Sequence, residues 1–286
     1  MSYIKILRLN QWSKNIVILI PAVLSQNIDV LMNLDLYLIL FLFSIMASST
    51  YIFNDLKDAN QDKHHPEKKN RPIASGDISI KNALIFGLFL AILSFTLVFL
   101  IQKNLVIYFL SYFILTVSYS IKFKYLKYLD FISISALFYI RILIGGVGVA
   151  LQFTNFFIIF IITNLTLISI SKKISILMNP LIPDSLKVKK HLKKVYKKNE
   201  LENIYKFLSI LSILTYGLWI YTNFTFTSFF LIYSILSILT LSNFLIKFYK
   251  STVKYQTENF IEWIIIPKNI LNLSLLTFAS LRIIFN

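Results

Sequence analysis

Residues 36–62 read LYLILFLFSIMASSTYIFNDLKDANQD, and the change of character inside this stretch decides the fold. Residues 36–54 carry no charge, and those that follow bring Asp55, Lys57, Asp58 and Asp62. A membrane-crossing helix needs about 20 mostly apolar residues. The stretch therefore reads as a crossing helix that reaches the headgroup layer at Asn54 and opens there into a cluster of carboxylates.

The rest of the chain has the same membrane character. Of its 286 residues 57% are hydrophobic and 15% charged, with a mean hydropathy of +0.70. A soluble domain is about half apolar and about a quarter charged. A water-soluble globule could not hide this much apolar surface, which sets aside soluble and disordered classes. The absence of cysteine excludes disulfide scaffolds, thiolate metal sites and cysteine nucleophiles. The net charge of +16 would suggest nucleic acid in a soluble protein. In a membrane chain it marks cytoplasmic loops facing anionic headgroups, and no nucleic-acid partner is expected.

Uncharged runs recur at 82–102, 104–121 and 207–246, the last two span lengths long with a polar break at 221–228. A further run, 142–171, joins a segment starting near 130 and breaks at 152–155, giving helices 130–150 and 155–171. Adding 263–281 and a short first run, 15–27, predicts nine crossing helices. The expected fold class is an all-α polytopic membrane bundle. The alternate loops 1–14, 55–81, 122–130, 172–206 and 247–262 hold 25 of the 29 Lys and Arg residues. The positive-inside rule makes that set cytoplasmic, with the N-terminus inside and the C-terminus outside. Basic residues ahead of 15–27 imitate a signal peptide, but Pro21 interrupts the run and eight later spans need a first one for orientation.

If helix continues past Asn54, then Asn54, Asp58 and Asp62 follow at i, i+4 and i+8, with Asp55 beside them. Converging carboxylates repel one another, and a hard divalent cation removes the problem. Mg²⁺ suits it, because it binds through one or two carboxylates and substrate phosphate oxygens. An ordinary solvated loop neutralised by Lys57 and Lys63 is the alternative. Lys68, Lys69 and Arg71 follow closely and favour a diphosphate site. His64 and His65 read as solvated loop residues, and His191 stands alone.

Asn54-Asp55-x-x-Asp58-x-x-x-Asp62 resembles the first aspartate motif of the UbiA superfamily of intramembrane prenyltransferases, which also has nine transmembrane helices. The wider pattern is similar to its decaprenyl-phosphate phosphoribosyltransferase branch. The matching residues are Arg8-x-x-Gln11-Trp12-x-Lys14-Asn15, His65-Pro66-x-Lys68-x-x-Arg71-Pro72-Ile73-Ala74-x-Gly76, and Tyr119-Ser120-x-x-x-Lys124 with Asp130, Arg141, Gly145 and Gly146. The resemblance implies that residues 1–286 form a single UbiA-like transmembrane transferase domain. Its substrates would be a soluble phosphoribosyl diphosphate donor and a polyprenyl phosphate. Asn54, Asp55, Asp58 and Asp62 would hold Mg²⁺ and carry catalysis. Lys14, Lys68, Arg71, Tyr119, Lys124, Asp130, Arg141, Lys172 and Lys173 would bind substrate phosphates. The site would face the cytoplasm from a bacterial inner (plasma) membrane, in cell-envelope biosynthesis. The chain departs from the family in two places. Asp184, Glu200 and Glu202 lack the spacing of a second aspartate motif, and Ile176 stands where the branch carries a glutamate.

Arg141 lies inside a span, where an ionisable group is costly and faces the bundle interior. Its partner is a lipid phosphate, Asp130, or backbone carbonyls in a purely structural role. Gly145, Gly146 and Gly148 read as close-packing positions. The lysines of 187–198 read as headgroup contacts. Two alternatives carry weight: a prenyltransferase moving a prenyl group from its diphosphate to an aromatic acceptor, and a lipid transporter or flippase.

Overall fold

A computed structural model describes residues 2–24, 28–63, 68–150, 153–184, 187–223, 228–255 and 260–284. His64 and His65 lie outside the described residues. All regular elements among those described are helical. Two compact units divide the chain, Met1–Gln152 and Phe153–Asn286. Six helical stretches are long and apolar enough to cross a membrane.

The first unit holds α1 (Ser2–Ile6), a 3₁₀ helix (Leu9–Leu19), α2 (Ile20–Leu24), α3 (Ile28–Leu31), α4 (Leu34–Asp62), α5 (Ile80–Gln102), α6 (Val106–Ile121) and α7 (Leu129–Gly148). Helix α4 starts where the Asn33 side chain accepts from the Asp35 amide at 2.8 Å. Its 29 residues span about 44 Å at about 1.5 Å per residue, against a hydrocarbon core of about 30 Å. The last turns, which carry the acids, therefore project beyond the apolar layer. Residues 80–121 form one helical stretch of 42 residues, yet Phe95 and Phe113 meet at 6.2 Å between ring centroids. Eighteen positions along a straight helix would part them by about 27 Å. The stretch thus folds back at residues 102–105, and α5 and α6 are separate helices.

Small residues let α4 and α5 approach closely. Ser49 donates to the Gly87 carbonyl at 2.9 Å and Ser94 to that of Leu42 at 2.8 Å. The main apolar core gathers Ile18, Leu42, Phe43, Met46, Phe109 and Ile144.

The expected first helix at 15–27 differs from the observed backbone. Leu9–Leu19 is a 3₁₀ helix and only Ile20–Leu24 continues as α. Runs of 3₁₀ beyond three or four residues are uncommon. Here a three-residue repeat buries Asn15, Ile18 and Pro21. Trp12 donates to Ser48 at 2.9 Å, and Asn15 donates to Ser44 at 3.0 Å. Helix α7 closes on the other side. A Cβ added to Gly145 would sit 1.9 Å from the Ile18 carbonyl oxygen. Gly145→Ala must displace backbone rather than a side chain, so a loss near the upper end of the about 1–3 kcal/mol typical of overpacking is expected. A lowered unfolding midpoint of the detergent-purified protein checks this. Gly148 meets only an ordinary contact from Ile39.

The second unit comprises α8 (Asn155–Met178), α9 (Lys187–Val195), α10 (Lys198–Asn223), α11 (Ser228–Val253), α12 (Phe260–Ile265) and α13 (Pro267–Ile284). Polar side chains bridge its apolar helices. Asn164 donates to Ser212 at 2.8 Å, Tyr216 and Ser280 pair at 2.7 Å, and Asn243 donates to Asn272 at 3.3 Å. Phe248 and Trp263 pack at 4.8 Å in its core.

Candidate active site

Helix α4 runs unbroken through the acidic segment to Asp62, so the four residues spread as a fan around one helix end. At about 100° per residue, Asp58 stands about 40° round from Asn54, Asp62 about 80° and Asp55 about 100°. Asp55 and Asp62 therefore share a direction, and Asn54 and Asp58 share another. The ion pairs follow this division. Arg71 bridges Asp55 at 3.1 Å and Asp62 at 2.6 Å, and Arg8 makes a second ion pair with Asp55. Asp58 pairs with Lys124 at 3.4 Å. The neutralising cations are thus Arg8, Arg71 and Lys124. Lys57 turns away and donates to the Ser120 carbonyl.

Local backbone aims two of these cations. Arg8 takes a left-handed conformation, φ 52° and ψ 52°, which costs a non-glycine residue about 1–2 kcal/mol. Its guanidinium thereby reaches Asp55, with Tyr51 5.5 Å away in a cation–π contact. Arg71 opens a compact turn closed by hydrogen bonds from Ser75 to Arg71 and from Ile78 to Pro72. Gly76 turns that segment with φ 87°, where a side chain would be strained.

Beside the fan lies a cavity of about 240 Å³. Arg8, Lys14, Asn54, Tyr119 and Arg141 all line it, together with Tyr51, Tyr112 and Phe138. Three cations face this space, and no carboxylate lines it among the described residues. Arg141 is only 4% exposed. It donates to Asn15 at 3.0 Å, to the Leu137 carbonyl at 2.7 Å and to the Tyr112 hydroxyl at 3.1 Å. Phe43, Tyr112 and Phe138 surround its guanidinium at 4.9–5.4 Å. None of these partners carries charge. An isolated buried cation is costly, and an anion in this pocket would offset that cost.

The remaining expected residues are placed differently. Asp130 is buried in the first turn of α7 and accepts from the Phe131 amide at 2.8 Å. Lys68 begins the short 3₁₀ turn Lys68–Asn70. Lys172 and Lys173 belong to α8 in the second unit, where the Lys173 ammonium lies 5.8 Å over Tyr196. Asp184 is held by Lys193 at 2.5 Å and Lys189 at 3.2 Å. Those hydrogen bonds, that of Lys193 first, keep its carboxyl below the usual range. Arg8, Asn15 and Tyr112 were outside the expected site. Arg8 and Asn15 lay in plain view in the opening motif, whereas Tyr112 carried no signal beyond its place in an apolar run.

Among the described residues no three Asp, Glu, His or Cys side chains gather into a group able to hold a metal. What remains is one carboxylate and one amide oxygen on a shared face, Asp58 and Asn54. That set is too sparse for a caged structural ion. It fits Mg²⁺ bound mainly through substrate phosphates.

The UbiA prenyltransferase family profile matches residues 16–264. The chain belongs to the UbiA prenyltransferase family. It is similar to the decaprenyl-phosphate phosphoribosyltransferase of Corynebacterium glutamicum, with 30% identity over 54% of this chain and 48% of that protein. The protein of the same name from Mycolicibacterium smegmatis is 26% identical over 77% of this chain and 70% of its own length. The first of these alignments spans about half of the curated relative. The fold matches that of a UbiA homologue from Archaeoglobus fulgidus bound to DMAPP and Mg²⁺, with a TM-score of 0.69 and 14% identity over 99% of both chains. This UbiA-family chain is an integral membrane protein.

Proposed function

We propose that the protein is a Mg²⁺-dependent membrane transferase that moves 5-phosphoribosyl from phosphoribosyl diphosphate to a polyprenyl phosphate, releasing pyrophosphate. The observation that carries this reading is Arg141: a buried cation whose hydrogen-bond partners among the described residues are all neutral, in a pocket also lined by Arg8 and Lys14. The similarity to two named phosphoribosyltransferases points the same way. We read nine membrane spans, a cytoplasm-facing site in the inner membrane and an N-terminus inside. We also read residues 1–286 as one functional domain.

A lipid phosphate oxygen attacks the anomeric carbon of ribose, a new C–O bond forms, and the bond to the diphosphate oxygen breaks. The nucleophile is already anionic, so little general-base help is needed. Arg141, Lys14 and Arg8 hold the attacking phosphate and stabilise charge preorganised in a low-dielectric pocket. Asn54 and Asp58 are the residues that would hold Mg²⁺, which when bound offsets the charge growing on the departing diphosphate. Arg71 and Lys124 are positioned to take up phosphate oxygens there, and Asp55 keeps Arg8 and Arg71 in place. Lys68 and Tyr119 are assigned supporting contacts to substrate phosphates.

The prenyltransferase alternative would generate an allylic cation. Three cations around the cavity would oppose a positive charge developing there, although the rings of Tyr51, Tyr112 and Phe138 would favour it. A transporter would place its carboxylates near mid-span, whereas here they close α4.

The test uses membranes containing the protein, Mg²⁺, labelled phosphoribosyl diphosphate and polyprenyl phosphates of several lengths. Label entering the organic phase with stoichiometric pyrophosphate, abolished by EDTA, is the expected result. A folded sample that transfers no label under these conditions, yet alkylates an aromatic acceptor from a labelled prenyl diphosphate, would replace this reading with the alternative.

A further inference from the structure

Asn15 is 1% exposed, and its two amide atoms have different partners. Arg141 has only hydrogens to give, so the Asn15 carbonyl oxygen must face it, at 3.0 Å. The Ser44 hydroxyl donates its one hydrogen to the Leu40 carbonyl at 2.8 Å. Toward Asn15 it can only accept, and the Asn15 amide nitrogen donates to it at 3.0 Å. Both ends thus force one amide orientation. The guanidinium has five N–H groups. Asn15, Leu137 and Tyr112 take three of them, each through a neutral oxygen. The other two have no protein acceptor among the described residues, and Arg141 lines the cavity.

An aspartate would occupy the volume of Asn15 and accept the same hydrogen bond from Arg141. It would also cancel the arginine's charge. The chain has instead an uncharged amide at a contact where a carboxylate would pair with Arg141.

We propose that Asn15 is a positioning residue that fixes the Arg141 guanidinium without neutralising it, so that the head phosphate of a lipid supplies the missing counter-charge. This rests on the reading of the pocket as a phosphate site. It divides the labour between the two substrates: the Arg141 pocket seats the lipid phosphate, and the α4 fan with Arg71 and Lys124 attends to the diphosphate donor. Asn15 then sets selectivity for an anionic headgroup over a neutral one without touching the lipid.

The experiment compares wild type, Asn15→Asp and Asn15→Ser in nanodiscs. Binding of a long-chain polyprenyl phosphate is read by thermal shift in the absence of any donor, with the unphosphorylated polyprenol as control. Asn15→Asp is expected to unfold no earlier than wild type but to bind the polyprenyl phosphate at least about tenfold more weakly. Its affinity for the polyprenol should be unchanged. Asn15→Ser, which shortens the side chain but adds no charge, should lose several-fold in affinity, clearly less than Asn15→Asp. In turnover, the KM for lipid should rise in Asn15→Asp while the KM for phosphoribosyl diphosphate holds. Equal binding by Asn15→Asp and wild type would overturn the proposal, and so would equal losses in the Asp and Ser variants. If Asn15→Asp does not fold, Ser44→Ala decides. It removes the acceptor that anchors the Asn15 amide nitrogen, so the guanidinium is held less firmly and lipid phosphate binding should weaken several-fold; unchanged binding would overturn the proposal. Because no donor is present, intact binding differences without phosphoribosyl transfer would sink the donor assignment alone.

Discussion

Replacing Arg141 with glutamine is expected to reduce transfer to a polyprenyl phosphate by about thirtyfold to several thousandfold, while the ligand-free protein melts at the same temperature or higher. The first effect follows from removing one partner of a desolvated charge contact, which costs about 2–5 kcal/mol, with about 1.4 kcal/mol for each factor of ten. The second follows from the burial of Arg141 with only neutral partners. Such a cation carries a desolvation penalty of several kcal/mol that a neutral side chain does not. Glutamine keeps a donor for Asn15, so the network loses charge before it loses connectivity. Steady-state kinetics and thermal unfolding of one preparation check both halves. A variant that loses activity by melting early would mean that the arginine serves the fold.

Asp55→Asn and Asp58→Asn should fail in opposite ways. Asp55 is 3% exposed and anchors both Arg8 and Arg71. Removing its charge leaves two guanidiniums facing each other, and breaking a buried pair costs about 3–5 kcal/mol. Partial exposure of both arginines trims this toward the lower figure. A marked fall in the unfolding midpoint is the expected signature, with Asp62 retaining part of Arg71 through its 2.6 Å contact. Among the described residues Asp58 has a single long ion pair, with Lys124 at 3.4 Å and both side chains about one-fifth exposed, so its replacement should cost far less stability than that of Asp55. Turnover should nevertheless drop by about a hundredfold or more, because the variant loses a carboxylate able to hold the metal that balances the leaving group. Metal titration separates the two variants further: raising Mg²⁺ should restore part of the Asp58→Asn rate and none of the Asp55→Asn stability.

Charge-free runs located the long helices closely. The run 82–102 is α5 (Ile80–Gln102), 130–150 is α7 (Leu129–Gly148), and the breaks at 152–155 and 221–228 fall between α7 and α8 and between α10 and α11. Where hydropathy misled, it measured lipid burial rather than backbone hydrogen bonding. Helix α10 begins at Lys198, well ahead of the uncharged run that opens at 207. Periodicity put the acids on one helix end, but an exact four-residue step drifts by about 40° each time. Asp62 therefore joined Asp55 rather than Asn54. The cations could not be assigned from local spacing, since Arg8 lies 47 residues from Asp55 and Lys124 lies 66 from Asp58. The cavity was legible only in part. Lys14, Tyr119 and Arg141 stood in recognisable motifs, whereas the neutrality of the Arg141 surroundings is a property of tertiary packing.

The 3₁₀ helix and α4 mesh like two gears cut to one pitch. Three residues of 3₁₀ rise about 6 Å, and four residues of α-helix also rise about 6 Å. Trp12 and Asn15, three apart, therefore meet Ser48 and Ser44, four apart, tooth for tooth on antiparallel paths. If Leu9–Leu19 relaxed to an α-helix, Asn15 would lag by about 1.5 Å and swing about 60° away from its serine. The orientation of Arg141 is thus geared to the winding of a segment that makes no regular α-helix at all, and a single inserted residue there would disengage it.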